Sequence, residues 1–310
     1  MRRARAGLAV AMSVLAATAC GGASSGPAPA TTATTAGETA PTTVGGDPVV
    51  LAAGDIASCS SEGDEATAAL LAGRPGTVLA LGDSAYETGS SSEYATCYGA
   101  SWGAEKARTR PAVGNHEYLT DGARGYFAYF GAAAGDAAAG YYSFDLGTWH
   151  LIALNSNCTI VSCAAGGPQE TWLRADLAAH PAPCTLAYWH HPRFSSGTTH
   201  GSDPSVQPLW QALFDAGADV VLEGHEHNYE RFGPLTPTGQ PDPARGIRSF
   251  VVGTGGRNHY QLGKPQPGSE VGNDTTWGVL ALTLRPTGFD WQFVPEAGAT
   301  FTDSGSAACH

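Results

Sequence analysis

The feature that most constrains this chain is a series of five short blocks rich in oxygen and imidazole donors. They are Gly54-Asp55, Gly82-Asp83-Ser84-Ala85-Tyr86, Gly114-Asn115-His116-Glu117, His190-His191-Pro192 and Gly224-His225-Glu226-His227. Apolar or β-branched runs precede them at residues 49–53, 77–81, 109–113, 186–189 and 219–222. A short apolar run that stops at a glycine or a polar ligand reads as a buried strand feeding a loop. In α/β proteins, sites sit in the loops beyond the strand carboxyl ends. The five blocks therefore predict one site assembled from distant parts of the chain.

Between the strands, residues 64–72, 125–130, 169–179 and 206–216 read as helices, with Pro168 at the start of the third. Ser60 or Ser61 can cap the first. Residues 141–144 and 149–154 read as a hairpin around Asp145-Leu146-Gly147, and 249–252, 279–284 and 289–294 as late strands. This β-α-β order, then hairpins, then β-α-β again, predicts an α/β fold of sheets covered by helices.

The N-terminus has a different character. Arg2, Arg3 and Arg5 precede a short apolar stretch ending at Ala17-Thr18-Ala19-Cys20-Gly21-Gly22. This resembles a bacterial lipoprotein signal peptide over 1–20, with Cys20 as the lipidated residue. An ordinary secretory signal is the alternative, because Ala17 and Ala19 also suit a small-residue cleavage site. Residues 21–46 are Ala, Thr, Pro, Gly and Ser with the single charge Glu38. That composition predicts a disordered tether. The mature domain is then 47–310. The expected location is outside the cell, lipid-anchored at the outer face of the membrane through Cys20 alone, or secreted.

The formal net charge is −12, and the domain without Arg2, Arg3 and Arg5 is more acidic still. Such a domain is a poor partner for nucleic acid, and no protein partner is inferred. Of seven cysteines, six follow Cys20. An even number in an exported domain predicts disulfides, for which six cysteines allow 15 connectivities. The expected pairing is Cys59–Cys97, Cys158–Cys163 and Cys184–Cys309. The absence of any Cys-x-x-Cys argues against a cysteine zinc site.

Asp55 and Asp83 offer carboxylates, and one carboxylate can bridge two cations about 3.5–4 Å apart. Asn115 offers an amide oxygen. His190, His225 and His227 offer imidazoles that suit Zn, Fe, Cu or Ni. Tyr86 can reach the metal that Asp83 holds, and a phenolate favours a strong Lewis acid such as Fe(III). His225 and His227, two apart, would share a face in an extended segment.

This ordered set resembles the calcineurin-like metallophosphoesterase superfamily. Gly82-Asp83-Ser84-Ala85-Tyr86 and Gly224-His225-Glu226-His227-Asn228-Tyr229-Glu230-Arg231 resemble the purple acid phosphatases within it. Many relatives carry a histidine two residues after the first aspartate. Here that position is Ala57, and the added Tyr86 fits the purple type, which ligates through tyrosine. The resemblance implies a four-layer α/β/β/α sandwich of two mixed sheets flanked by helices. It implies Asp55, Asp83, Tyr86 and His227 around Fe(III), and Asp83, Asn115, His190 and His225 around Zn, Mn or Fe(II), with Asp83 bridging. The implied reaction is hydrolysis of small phosphate monoesters by a metal-bound hydroxide.

His116 is an expected catalytic or phosphate-contacting residue tuned by Glu117, His200 a second, and Arg257 a substrate contact, with Asn115 also facing substrate. Glu230 and Arg231 are expected to pair behind His227, with His191 behind the ligands or at the rim and His150, His180 and His310 structural or solvent-facing. Phosphodiesterase or nucleotidase activity at the same centre is the alternative reaction. A metal- or solute-binding surface lipoprotein is the alternative of another class.

Overall fold

The structure, a computed structural model, describes residues 46–310. The expected signal peptide, Cys20 and all but the last residue of the tether lie outside the described residues.

Six strands form the first sheet: β1 (Val49–Ala53), β3 (Thr77–Leu81), β5 (Thr109–Ala112), β13 (Gly278–Arg285), β14 (Gly288–Pro295) and β15 (Ser304–Ala308). Their order is β15-β14-β13-β1-β3-β5. β1, β3 and β5 run parallel, β13 adds antiparallel to β1, and β14 and β15 continue, each antiparallel to its neighbour.

The second sheet has seven strands: β6 (Tyr142–Leu146), β7 (Trp149–Ala153), β8 (Cys184–Tyr188), β9 (Val220–Glu223), β10 (Tyr229–Leu235), β11 (Ile247–Val252) and β12 (Ser269–Asn273). They are ordered β12-β10-β11-β9-β8-β7-β6. A two-stranded ladder joins β2 (Ala57–Ser58) to β4 (Ala85–Tyr86). Helices α1 (Gly63–Ala72), α4 (Pro168–Ala179) and α5 (Gln207–Asp215) follow strands of the sheets, and the short α2 (Ser91–Thr96) and α3 (Arg124–Phe130) pack on each other.

Strand periodicity separates the second sheet's two faces. Leu151, Ala153, Leu186, Tyr188, Val220 and Leu222 join a core shared with the first sheet. Their neighbours Ile152, Leu154, Ala187, Trp189 and Val221 pack instead with Leu173 of α4 and Leu209, Trp210 and Leu213 of α5. Successive residues of a strand point to opposite faces, so an uninterrupted apolar run is what a strand covered on both sides requires. The expected sandwich of two mixed sheets with flanking helices is the observed fold.

The three expected disulfides form, Cys59–Cys97, Cys158–Cys163 and Cys184–Cys309. His150 lies buried between Asp145 and Asp176, 2.8 Å from each, stacked on His180, and His310 contacts Asp219, so these three histidines are structural.

Two expectations fail locally. Glu230 and Arg231 do not pair, because adjacent strand residues face opposite ways. Glu230 accepts hydrogen bonds from Ser196 N and Ser269 Oγ, while Arg231 pairs with Asp303 and Glu270. Neither Ser60 nor Ser61 caps α1; the cap position is Glu62, and the Ser61 hydroxyl, which accepts from Gly63 N, bonds Gly256 O.

Candidate metal centre

The carboxyl ends of β1, β3 and β5 in one sheet meet those of β8 and β9 in the other. Cross-sheet hydrogen bonds fasten the meeting point: Gly54 N to Val252 O at 2.9 Å, His190 Nδ1 to Leu81 O at 2.9 Å, and His225 N to Asp55 Oδ2 at 2.7 Å. Asp55, Asp83 and His225 adopt positive φ, 59°, 46° and 70°. A non-glycine residue there is strained, and three of the five site loops carry that strain at the donor itself. Crowding sets Gly114: a Cβ there would strike the Asp83 carboxylate and backbone.

The seven expected ligands converge as two adjoining groups. In the first, Tyr86 Oη lies 2.9 Å from Asp55 Oδ1, 3.1 Å from Asp83 Oδ2 and 3.2 Å from His227 Nε2. In the second, His190 Nε2 lies 3.2 Å from Asp83 Oδ2, 3.1 Å from Asn115 Oδ1 and 3.1 Å from His225 Nδ1. The same oxygen, Asp83 Oδ2, belongs to both, which is the position of a bridging carboxylate. His225 and His227 do not share a face as an extended segment would have them. The left-handed backbone at His225 sends one imidazole to each group.

The donor chemistry fits cations. His190 and His227 each donate Nδ1–H to a backbone carbonyl, Leu81 O and Asn258 O, which leaves Nε2 a bare lone pair turned into the site. Around the one Tyr86 proton stand three acceptors, Asp55, Asp83 and His227. Such a surplus of buried lone pairs is costly unless positive charge occupies the centre.

Titration points the same way. Burial, reinforced by Asp55 and Asp83, pushes the Tyr86 phenol well above its ordinary range. Burial and the surrounding histidines push His225 down, which keeps it a neutral ligand. Burial would lower His190, but Asp83 overrides it and raises it to about 9. The same contact, with His116, holds Asp83 well below the carboxylate range despite its burial.

His116 donates its backbone N–H to Asp83 Oδ1 at 2.8 Å, anchors Nδ1 on Glu87 O at 2.6 Å, and leaves Nε2 3.9 Å from Asp83 Oδ2. The ring of His200 stands 4.1 Å, centroid to centroid, from that of His225. His191 lies half-buried against His225 at 4.4 Å, in the expected place behind a ligand and at the cavity edge, its pKa lowered by burial to about 4. Arg257 lies over the Tyr86 ring with its guanidinium committed to Glu87 at 2.7 Å.

Glu117 does not touch His116. Its carboxylate turns inward and accepts from Asp83 N, Ser84 N, Gly114 N and Tyr94 Oη. Burial and the nearby Asp83 raise its pKa to about 7.

Three further residues support the site without being among the expected ligands. Tyr260 stacks on His227 at 3.8 Å, Ser156 Oγ takes the backbone N–H groups of His190 and His191, and Glu226 takes those of His200 and Gly201, each at 2.5 Å. Only Glu226 was findable, as a buried acid between two ligands. It is a positioning residue that seats the His200 loop. Glu226→Ala is expected to lower kcat/KM about tenfold with metal content unchanged, and to add little to His200→Ala, because residues acting through one another are non-additive. Gln at 226 should restore most of the loss. A double variant whose losses simply add overturns the coupling.

Comparison with known proteins agrees with this geometry. Residues 48–229 match the family described as Calcineurin-like phosphoesterase. The chain belongs to this family.

An uncharacterised protein of Mycobacterium tuberculosis is 30% identical over 200 residues, covering 52% of this chain and 38% of that protein. Purple acid phosphatase 15 of Arabidopsis thaliana is 31% identical over 135 residues, 42% of this chain and 24% of its own. This chain thus matches well under half the length of these relatives. Among solved structures, a purple acid phosphatase from yellow lupin (Lupinus luteus) seeds superposes with TM-score 0.69 at 17% identity, over 84% of this chain and 53% of the other. GAP50, titled the anchor in the inner membrane complex of Plasmodium, gives 0.63 at 14% identity, over 86% and 90%. At such identities these two share the fold.

Proposed function

We propose that the chain is an exported dinuclear-metal phosphatase of the purple acid phosphatase type, acting on small phosphate monoesters. The observation that carries this reading is Tyr86, whose phenol oxygen sits within hydrogen-bonding distance of Asp55, Asp83 and His227 at once. Asp55, Asp83, Tyr86 and His227 would hold Fe(III). Asp83, Asn115, His190 and His225 would hold Zn, Mn or Fe(II). When bound, such a pair supplies a nucleophile from water at neutral pH and positive charge for the phosphate oxygens.

The chain's own residues supply the rest. Asp83 fixes the two halves of the centre to one oxygen. Backbone N–H groups at Asp83, Ser84 and Gly114, gathered by Glu117, hold the loops rigid. His116 presents Nε2 beside Asp83, where it can bind the phosphoryl group or give a proton to the departing oxygen. His200 and Asn115 face the same space, and Arg257 supports Tyr86 from outside. The intact donor set disfavours a purely binding role. The three disulfides and the similarity to plant purple acid phosphatases support export.

The test is metal analysis with optical spectroscopy. The purified protein is expected to hold two metals per chain and to show a visible tyrosinate-to-iron charge-transfer band that Tyr86→Phe abolishes. A colourless, iron-free protein of full activity overturns the iron assignment. Predominant cleavage of a diester over a monoester overturns the monoesterase reading in favour of a phosphodiesterase at the same centre.

A further inference from the structure

A cavity of about 510 Å³ opens beside the metal centre. Its inner end is formed by Asn115 and His191. Asn115 Oδ1 is 3.1 Å from His190 Nε2, and the His191 ring lies against His225. A phosphoryl group on the two donor groups would therefore direct its ester oxygen toward this opening.

The outer end is different in kind. Leu119 and Ile160 are the large hydrophobic side chains left exposed among the described residues, 65% and 56% accessible, and both line this one cavity. Scattered apolar residues at a surface need no explanation, but two converging on a concave opening at a reaction centre do.

The wall that carries Ile160 is built rather than loose. The Cys158–Cys163 disulfide closes a loop of sequence separation five. Ile160 N and Val161 N both donate to Asn157 O, at 2.8 and 2.9 Å. Asn157 Nδ2 is in turn held by Asn155 Oδ1 at 3.0 Å. A wall fixed before binding loses little entropy when a ligand arrives. No Lys or Arg lines the cavity, and its one acidic liner is Asp203. In an acidic chain, that lining repels a leaving group with further phosphates.

From this geometry we infer that the cavity is the leaving-group site, and that it selects monoesters of uncharged, apolar aryl or alkyl alcohols. The assignment rests on the phosphatase reading above. In the reaction, water adds its oxygen to phosphorus, the bond from phosphorus to the ester oxygen breaks, and a water proton ends on that oxygen. The products are inorganic phosphate and the free alcohol, and the alcohol leaves through the Leu119–Ile160 mouth.

The test compares 1-naphthyl phosphate with glycerol 2-phosphate, using the metal-loaded protein and the variants Leu119→Ser, Ile160→Ser and the pair. Both side chains are mostly exposed, so the fold does not depend on them, and unchanged metal content checks this. The ratio of kcat/KM for naphthyl over glycerol phosphate is expected to fall about tenfold in the double variant, mainly through KM, a change of about 1.4 kcal/mol. Comparing ratios removes the intrinsic difference between the two leaving groups. Wild-type protein active on both esters, with a ratio that none of the variants alters, overturns the cavity assignment and leaves the phosphatase reading standing. Wild-type protein inactive on every monoester overturns the phosphatase reading itself.

Discussion

Asp83→Asn should lower phosphatase turnover at least about a thousandfold and reduce bound metal from two ions to one or none, as expected when a bridging anion is neutralised. The argument is local. One atom, Asp83 Oδ2, lies within 3.2 Å of both Tyr86 Oη and His190 Nε2, so it is the only donor common to both groups. Asparagine keeps the shape but removes the charge that both groups share. It also keeps an oxygen for His116 N, so the loop geometry survives and the loss is electrostatic. Full activity with two ions retained would rule out the bridging role. Asp55→Asn changes a donor of the first group only, its contact to the second being through His225 N, and should spare one metal site.

The second large effect falls on stability. Glu117→Leu should cost about 4 kcal/mol, in the range for removing the partner of buried polar groups. It strips acceptors from three backbone N–H groups and one tyrosine hydroxyl in a region closed to water. For a domain of this size the melting temperature should drop by roughly 10 °C or more. Metal binding should weaken too, because Asp83 N and Gly114 N belong to the ligand loops. Glu117→Gln keeps the shape and one acceptor and should lose less. A melting curve for the leucine variant that overlays the wild type would refute the role.

The candidate ligands were legible in sequence because the blocks that carry them follow runs of buried strand residues, and the resemblance assigned their grouping. The α/β class was legible for the same reason. What escaped notice follows physical lines. β15 reads Ser-Gly-Ser-Ala-Ala and β12 Ser-Glu-Val-Gly-Asn, edge strands that pair on one side and need no apolar run. β10 carries Gly233-Pro234, and its register shifts there. α2 was missed although Ser90 and Glu93 form a capping box that the sequence displays. Glu117 was assigned to His116 by adjacency, but in a tight turn neighbouring side chains diverge. Tyr260 and Ser156 reach the site through loops whose packing only the fold reveals.

The two sheets supply the donors unequally in kind. Asp55, Asp83, Asn115 and Tyr86 come from loops tied to the first sheet, and His190, His225 and His227 from the second. An ion held between them is a clasp across the halves of the molecule. It can close only when segments 75 or more residues apart are already together, so it binds the folded chain and not the unfolded one. Free metal concentration then becomes a setting of how firmly the protein stays folded, by the ordinary mass action of a ligand on its native state.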